Sequence, residues 1–160
     1  MDIRNTTLKD LHNVMKIYKI ARENMIKNNN PTQWGKRFPK RSWIKKDIKE
    51  NNSYVIVNNK EIVGVFSLII GEDPTYKYIE GKWLDSSKYG TIHRIASSLK
   101  VKNILSTAIT FSFTKINNIR IDTYKDNKIM IHLLQKYQFQ YCGIIYVRNY
   151  SPRLAYQKII

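Results

Sequence analysis

The sequence predicts an α+β fold, with a mostly antiparallel central sheet of about seven strands flanked by about four helices. Three observations carry that prediction. Apolar residues recur at helical spacing in separate segments, β-branched runs with strand alternation lie between them, and turn residues punctuate the boundaries. In chain order this gives a strand, two helices, three antiparallel strands, a helix, a strand, a helix and two strands.

Residues 2–4 form a short first strand. Thr7-Leu8-Lys9-Asp10 has the form of a capping box with Asp in place of Glu. Leu8, Leu11, Val14, Met15, Tyr18, Ala21, Met25 and Ile26 then make the apolar stripe of a helix over residues 8–27, which Asn28-Asn29-Asn30-Pro31 ends. The loop over 32–40 carries Gln33-Trp34-Gly35 and Phe38-Pro39, whose aromatics either wall a pocket or pin the loop to the core. Ser42 is placed as the N-cap of a short helix over 43–51, with Trp43, Ile44 and Ile48 inward.

Residues 54–57 and 62–70 are β-branched runs joined by Asn58-Asn59-Lys60, the signature of a hairpin. Gly71-Glu72-Asp73-Pro74 breaks the second strand, and residues 75–84 are rich in aromatics without a readable period. The next strand, 89–96, sets Thr91, His93 and Ile95 on one face and Ile92, Arg94 and Ala96 on the other. A basic link over 97–103 leads to a helix that buries Ile104, Leu105, Ala108, Ile109 and Phe113. Residues 118–123 alternate as a strand. Asp126 or Asn127 caps a helix whose apolar face is Ile129, Met130, Leu133, Leu134 and Tyr137. The last strands, 141–147 and 154–159, meet through Asn149-Tyr150-Ser151-Pro152. No repeat or low-complexity tract divides the chain, so one domain over residues 1–160 is expected.

With 28 Lys and Arg against 12 Asp and Glu, the formal net charge is +16. Basic residues are scattered, with mild concentration at Lys36-Arg37, Lys40-Arg41 and Lys45-Lys46. Compositional bias toward Lys, Asn and Ile accounts for this better than nucleic-acid binding, for which no motif is present, although the charge would also attract a polyanionic ligand. The single cysteine, Cys142, excludes an internal disulfide, and no Cys/His spacing suits a metal. The first residues lack an apolar export core and no apolar run reaches membrane-spanning length, so a cytoplasmic protein without membrane contact is expected.

The stretch 89–127 runs strand, turn, helix, strand, helix mouth. That order sets helix-start N–H groups beside the carboxyl end of a strand, which suits a phosphate-bearing ligand. Together with the element order, it resembles the GNAT superfamily of N-acetyltransferases, and the resemblance covers essentially the whole chain. The family motif Gln/Arg-x-x-Gly-x-Gly/Ala falls on Lys100-Val101-Lys102-Asn103-Ile104-Leu105. Asn127 matches the Asn after the family's fifth strand, and Lys136 and Phe139 match two positions of the following helix, where Leu134 replaces a Tyr.

The resemblance implies acetyl-CoA as co-substrate, its pyrophosphate gripped by the backbone of Lys100, Val101, Lys102, Asn103, Ile104, Leu105 and Ser106. Asn127 would contact the pantetheine arm, Lys136 would also serve the cofactor, and a backbone N–H at Ile95 or Ala96 would be the oxyanion donor. No metal is implied. Asn103 and Leu105 stand where glycines are usual. Asn tolerates left-handed geometry, whereas the Leu105 side chain must point away from the phosphates, into the helix core. Lys100 and Lys102 add positive charge.

Acetyl transfer to an amine needs a base, a placed nucleophile and an oxyanion donor. His93 is the leading candidate base, against a hydrogen-bonded strand histidine. Glu80 is the second, where burial among aromatics would raise its pKa, against a solvated turn carboxylate. Trp34, Tyr76, Tyr78, Glu80 and Trp83 are the candidate acceptor site, with Glu72, Asp73, Glu80 and Asp85 drawing in a cationic acceptor. Arg94 is assigned to a salt bridge and Cys142 to the core. The expected activity is acetyl transfer to the amine of a small molecule or peptide. The alternative is a family-like binding or regulatory module, and exposed sheet edges allow a homodimer.

Overall fold

A computed structural model describes residues 1–160. Its strands are β1 (Asp2–Asn5), β2 (Ser53–Asn58), β3 (Glu61–Ile70), β4 (Glu80–Gly81), β5 (Gly90–Ser97), β6 (Asn118–Thr123), β7 (Gln140–Val147) and β8 (Ser151–Ile159). The helices are α1 (Leu11–Lys27), α2 (Arg41–Lys49), α3 (Ile104–Phe113) and α4 (Lys128–Lys136). All eight strands join one sheet in the order β1-β2-β3-β5-β6-β8-β7-β4, and only β5 and β6 are parallel. The α+β class and the mostly antiparallel sheet are therefore as the sequence indicates. No helix is long and apolar enough to cross a membrane.

Local chemistry explains most boundaries. Asn59 and Lys60 both take positive φ (48° and 66°) between the paired Asn58 and Glu61, the two-residue turn that matches strand twist. The expected Thr7–Asp10 capping box forms, the Asp10 carboxylate accepting the Thr7 N–H (2.8 Å) and also Arg4 (2.7 Å), but it does not open the long helix. A separate 3₁₀ turn results, and α1 begins at Leu11. Ser42 lies inside α2 and is not its cap, since the Ile44 N–H already closes onto the Lys40 carbonyl (3.3 Å).

The strand beyond the expected seven is β4. Its two residues pair with Ile144 and Gly143 of β7, too short a run to show a period. The backbones cross so closely that a Cβ on Gly81 would meet the Cys142 carbonyl at 2.2 Å, and one on Gly143 the Glu80 carbonyl at 2.1 Å.

Helices α3 and α4 cover one sheet face, burying Ile92, Ile104, Leu105, Ala108, Ile119, Ile121 and Leu134. Helices α1 and α2 cover part of the other, with Leu11, Val14, Ile44, Val55, Val65 and Ala96. Strand β5 departs from simple alternation. Val65 pairs with Ala96 but Ser67 with His93, so β5 carries an extra residue, and Arg94 sits there at φ 50°. One inserted residue moves every later side chain to the opposite face. Ala96 consequently packs with the α1 side while Ile92 belongs to the α3 side, correcting the expectation that they share a face.

Candidate active site

Strands β5 and β6 register only at Gly90–Ile119 and Thr91–Arg120, and then separate. Past that point their facing backbone groups have no ladder partner. The gap opens into a cavity of about 380 Å³ lined by His93, Arg94 and Ile95 of β5 and Ile121, Asp122 and Thr123 of β6. A narrower cavity of about 130 Å³ adjoins it, sharing Met25, Ile95 and Asn127, and runs between α1 and residues 95–99.

On the β5 wall, His93 Nε2 lies 2.8 Å from Asp73 Oδ2. Burial pushes the Asp73 carboxyl up, but His93 and the Thr75 hydroxyl and N–H outweigh it and hold it down to about 2. An ionised carboxylate only accepts, so His93 donates from Nε2, and Nδ1 makes no hydrogen bond within the protein. Asp73 follows β3, where its carboxylate also takes the Thr75 N–H (2.9 Å) and hydroxyl (2.7 Å). The turn thus fixes the carboxylate and the carboxylate fixes the imidazole.

The bulge beside His93 is held from beneath. Arg94 donates to buried Asp47 at 2.8 and 2.9 Å, Ser67 Oγ donates to the same carboxylate at 2.7 Å, and the Tyr18 hydroxyl donates to the Arg94 carbonyl at 2.8 Å. The ion pair assigned to Arg94 is thus made, on the face that His93 also occupies. On β6, Asp122 accepts the Tyr76 hydroxyl at 2.6 Å, and burial followed by that carboxylate pushes the Tyr76 phenol well up.

The loop after α1 roofs the cavity. Gln33 Oε1 accepts from Asn30 (2.8 Å) and Asn127 (3.0 Å), which ties the loop to the start of α4. Asn127 Oδ1 takes the Met130 N–H at 3.1 Å and so caps α4. Trp34 lies edge-on to Tyr18 at 5.7 Å, and Phe38 stacks on Trp43 at 5.1 Å.

At the far end of the channel, Ser97 Oγ and Ser98 Oγ take the N–H groups of Leu99 and Lys100. The N–H groups of Val101, Lys102 and Asn103 have no acceptor in the protein. Those of the first turn of α3 lack intrahelical acceptors by helix geometry. Asn103 adopts φ 68°, ψ 23°, the left-handed form that glycine would take. Leu105 is 6% exposed within the core, so its side chain leaves the turn's outer surface clear. A run of free backbone donors at a helix start is the arrangement that a pyrophosphate requires.

No family model and no curated protein sequence matches the chain. Similarity of structure is extensive. An acetyltransferase of the GNAT family from Streptococcus agalactiae is 30% identical, with a TM-score of 0.87 over 99% of this chain and 95% of that one. The chain belongs to the GNAT family of acetyltransferases. At 18% identity, a ribosomal-protein-alanine N-acetyltransferase from Brucella melitensis shares the fold over all of both chains, TM-score 0.67. So does the NatC complex bound to Gag peptide and CoA, at 13% identity and TM-score 0.64 over 100% of this chain and 99% of that one. The GNAT fold supports a transferase role in acetyl transfer, and the family uses acetyl-CoA.

Within the GNAT cleft the residues singled out from sequence divide clearly. Ile95 and Asn127 line both cavities, Ala96 lines the narrow one, and His93 and Trp34 line the larger. Lys100 ion-pairs with Glu61, and Lys102 is exposed beside the turn. Ser106 and Lys136 lie elsewhere, in a depression on the α3–α4 surface with Thr110 and Lys158. Tyr76 is buried behind the cavity with Tyr89 and Ile145, and Trp83 packs on that cluster, donating to the Tyr76 carbonyl at 3.0 Å. Tyr78 is exposed in a separate groove beside Tyr146. Glu80 is exposed at the sheet edge, where it accepts the Tyr146 hydroxyl at 2.8 Å, so the burial expected to raise its pKa is absent. Glu72 and Asp85 are exposed and outside the cavity.

Sequence reasoning did not assign Asp122, Arg148 or Arg153 to the cleft, and it placed Asp73 among the acidic groups drawing in an acceptor without pairing it with His93. Asp73 looks like ordinary turn chemistry, and the others lie on strands or a hairpin whose register the sequence does not supply. The expected substitution of Tyr by Leu134 has a structural counterpart: Leu134 is fully buried, and no tyrosine lines the larger cavity.

Proposed function

We propose that the protein transfers an acetyl group from acetyl-CoA to the amine of a small molecule or peptide, with His93 as general base. The observation that carries this is the His93–Asp73 pair, set on the cavity wall where β5 leaves β6. The free donors of residues 101–105 fit the pyrophosphate, and Asn127 stands midway along the channel for the pantetheine arm. When bound, acetyl-CoA supplies a thioester carbonyl carbon as electrophile.

The chain's own residues do the rest. His93 Nδ1 takes the proton of the acceptor nitrogen, and Asp73 stabilises the imidazolium that forms. A backbone N–H of the unpaired β5 edge, at Ile95 or Ala96, donates to the developing oxyanion. Trp34, Phe38 and Trp43 exclude water from the acceptor end. No phenol lines the cavity, so the proton for the leaving thiolate comes from the His93 imidazolium or from solvent at the cavity mouth.

The test is steady-state kinetics with acetyl-CoA and a panel of amines. His93→Ala is expected to lower kcat by roughly 10²- to 10⁴-fold, the usual worth of a general base, with CoA affinity unchanged. Turnover equal to the parent's would remove His93 from this role.

A further inference from the structure

The acceptor end of the cavity holds guanidinium groups without carboxylate partners. Arg153 is 6% exposed, and its hydrogen bonds go only to Ser151 Oγ (2.6 Å), the Pro152 carbonyl (3.0 Å) and the Gln33 carbonyl (3.5 Å). Arg148, at the mouth, makes no hydrogen bond and lies over the Phe38 and Trp43 rings, 4.1 and 5.3 Å from their centroids. Neither reaches an acidic side chain within ion-pair distance. The other arginine of the cavity, Arg94, is fully engaged by Asp47. Arg153 is buried and Arg148 exposed; the Asp122 carboxylate acts on both from within the cavity without pairing with either, and each guanidinium offers a planar fork of donors suited to a carboxylate.

These charges are segregated. Asp73 and His93 lie on the β3–β5 side, Arg148 and Arg153 on the β7–β8 hairpin, and Asp122 between them on β6. We propose that the acceptor is an amine that itself bears a carboxylate, an amino acid or a short derivative of one, whose acid group is held by Arg148 and Arg153 while its nitrogen faces His93. This rests on the acetyltransferase reading above and narrows its substrate class. A monoanionic carboxylate suits the site better than a phosphate dianion, because the Asp122 carboxyl group lines the same cavity. Aromatic rings beside the arginines leave room for an apolar side chain. The acidic side chains expected to draw in a purely cationic acceptor lie outside the cavity, apart from Asp73, which His93 occupies.

The experiment compares matched acceptors that differ only in the acid: phenylalanine, its amide and phenethylamine, and the corresponding methionine and lysine sets. The parent should favour the free acids. Arg148→Met should raise KM for the acids by about 10- to 100-fold, the scale of a lost charge-assisted hydrogen bond, and leave the amides and decarboxylated amines within about twofold. Arg148→Lys should fall between. Equal use of acids and amides by the parent, or an equal KM rise for acids and amides in Arg148→Met, would each overturn the proposal. Calorimetry without cofactor gives a second readout: N-acetylphenylalanine should bind the parent and lose affinity in Arg148→Met, whereas N-acetylphenethylamine should not respond. Failure to turn over acetyl-CoA would defeat the activity, while this binding comparison still decides whether the site reads a carboxylate. Equal affinity for both probes overturns it.

Discussion

Asp73 shows how one residue joins local structure to chemistry. The same carboxylate closes the turn after β3 through Thr75 and accepts a hydrogen bond from the imidazole of His93. Its pKa, held to about 2 by those partners against burial, has a thermodynamic consequence. A carboxyl depressed on folding contributes stability that is complete above its ordinary pKa near 4 and is lost as pH falls toward 2. Thermal melts of parent and Asp73→Asn should therefore converge as pH drops through that window, and a gap that stays constant would show that Asp73 is not depressed. At Leu105 the departure from the family motif lies in a side chain that packs into the core. Leu105→Gly should not tighten acetyl-CoA binding, and should cost about 2–5 kcal/mol of stability by urea titration from cavity formation. Tighter binding would show that the turn is handicapped. His93, Asn127 and Trp34 were legible in the sequence. Arg148 and Arg153 were not, because an arginine's partners depend on hairpin register that no short-range pattern encodes.

Among the elements, β5 does most to build the site. Its parallel pairing with β6 ends after Thr91, and the bulge at Arg94 turns the strand so that His93 and Arg94 serve the same side. The bulge rests on Asp47, a buried carboxylate brought by α2 and shared by Arg94 and Ser67. Asp47→Ala should destabilise the fold by about 3–5 kcal/mol, because it strands a guanidinium that is largely out of water. A loss under 1 kcal/mol in chemical denaturation would contradict that role. At the far edge, Gly143→Ala should cost about 2 kcal/mol, since Gly143 combines φ 145° with a carbonyl contact that leaves no room for a Cβ. Helix periods, the Asn59-Lys60 turn and the core stripes were readable because they are local. The bulge and the two-residue β4 were not, since both are set by pairing between distant segments.

For the molecule as a whole, the predicted element order folds into one sheet whose divergence makes the cleft, and the chain belongs to the GNAT family on that architecture. The net charge of +16 does not mark the site by itself. The cavity pairs or segregates its charges, whereas the lysines are spread over the surface. We propose that the cleft between β5 and β6, with its degenerate turn, still holds acetyl-CoA. Isothermal titration with acetyl-CoA tests it most directly. Saturable one-to-one binding, weakened when Asn127→Ala removes a polar side chain lining both cavities, is the predicted result. No binding heat at millimolar acetyl-CoA from a folded protein would contradict it.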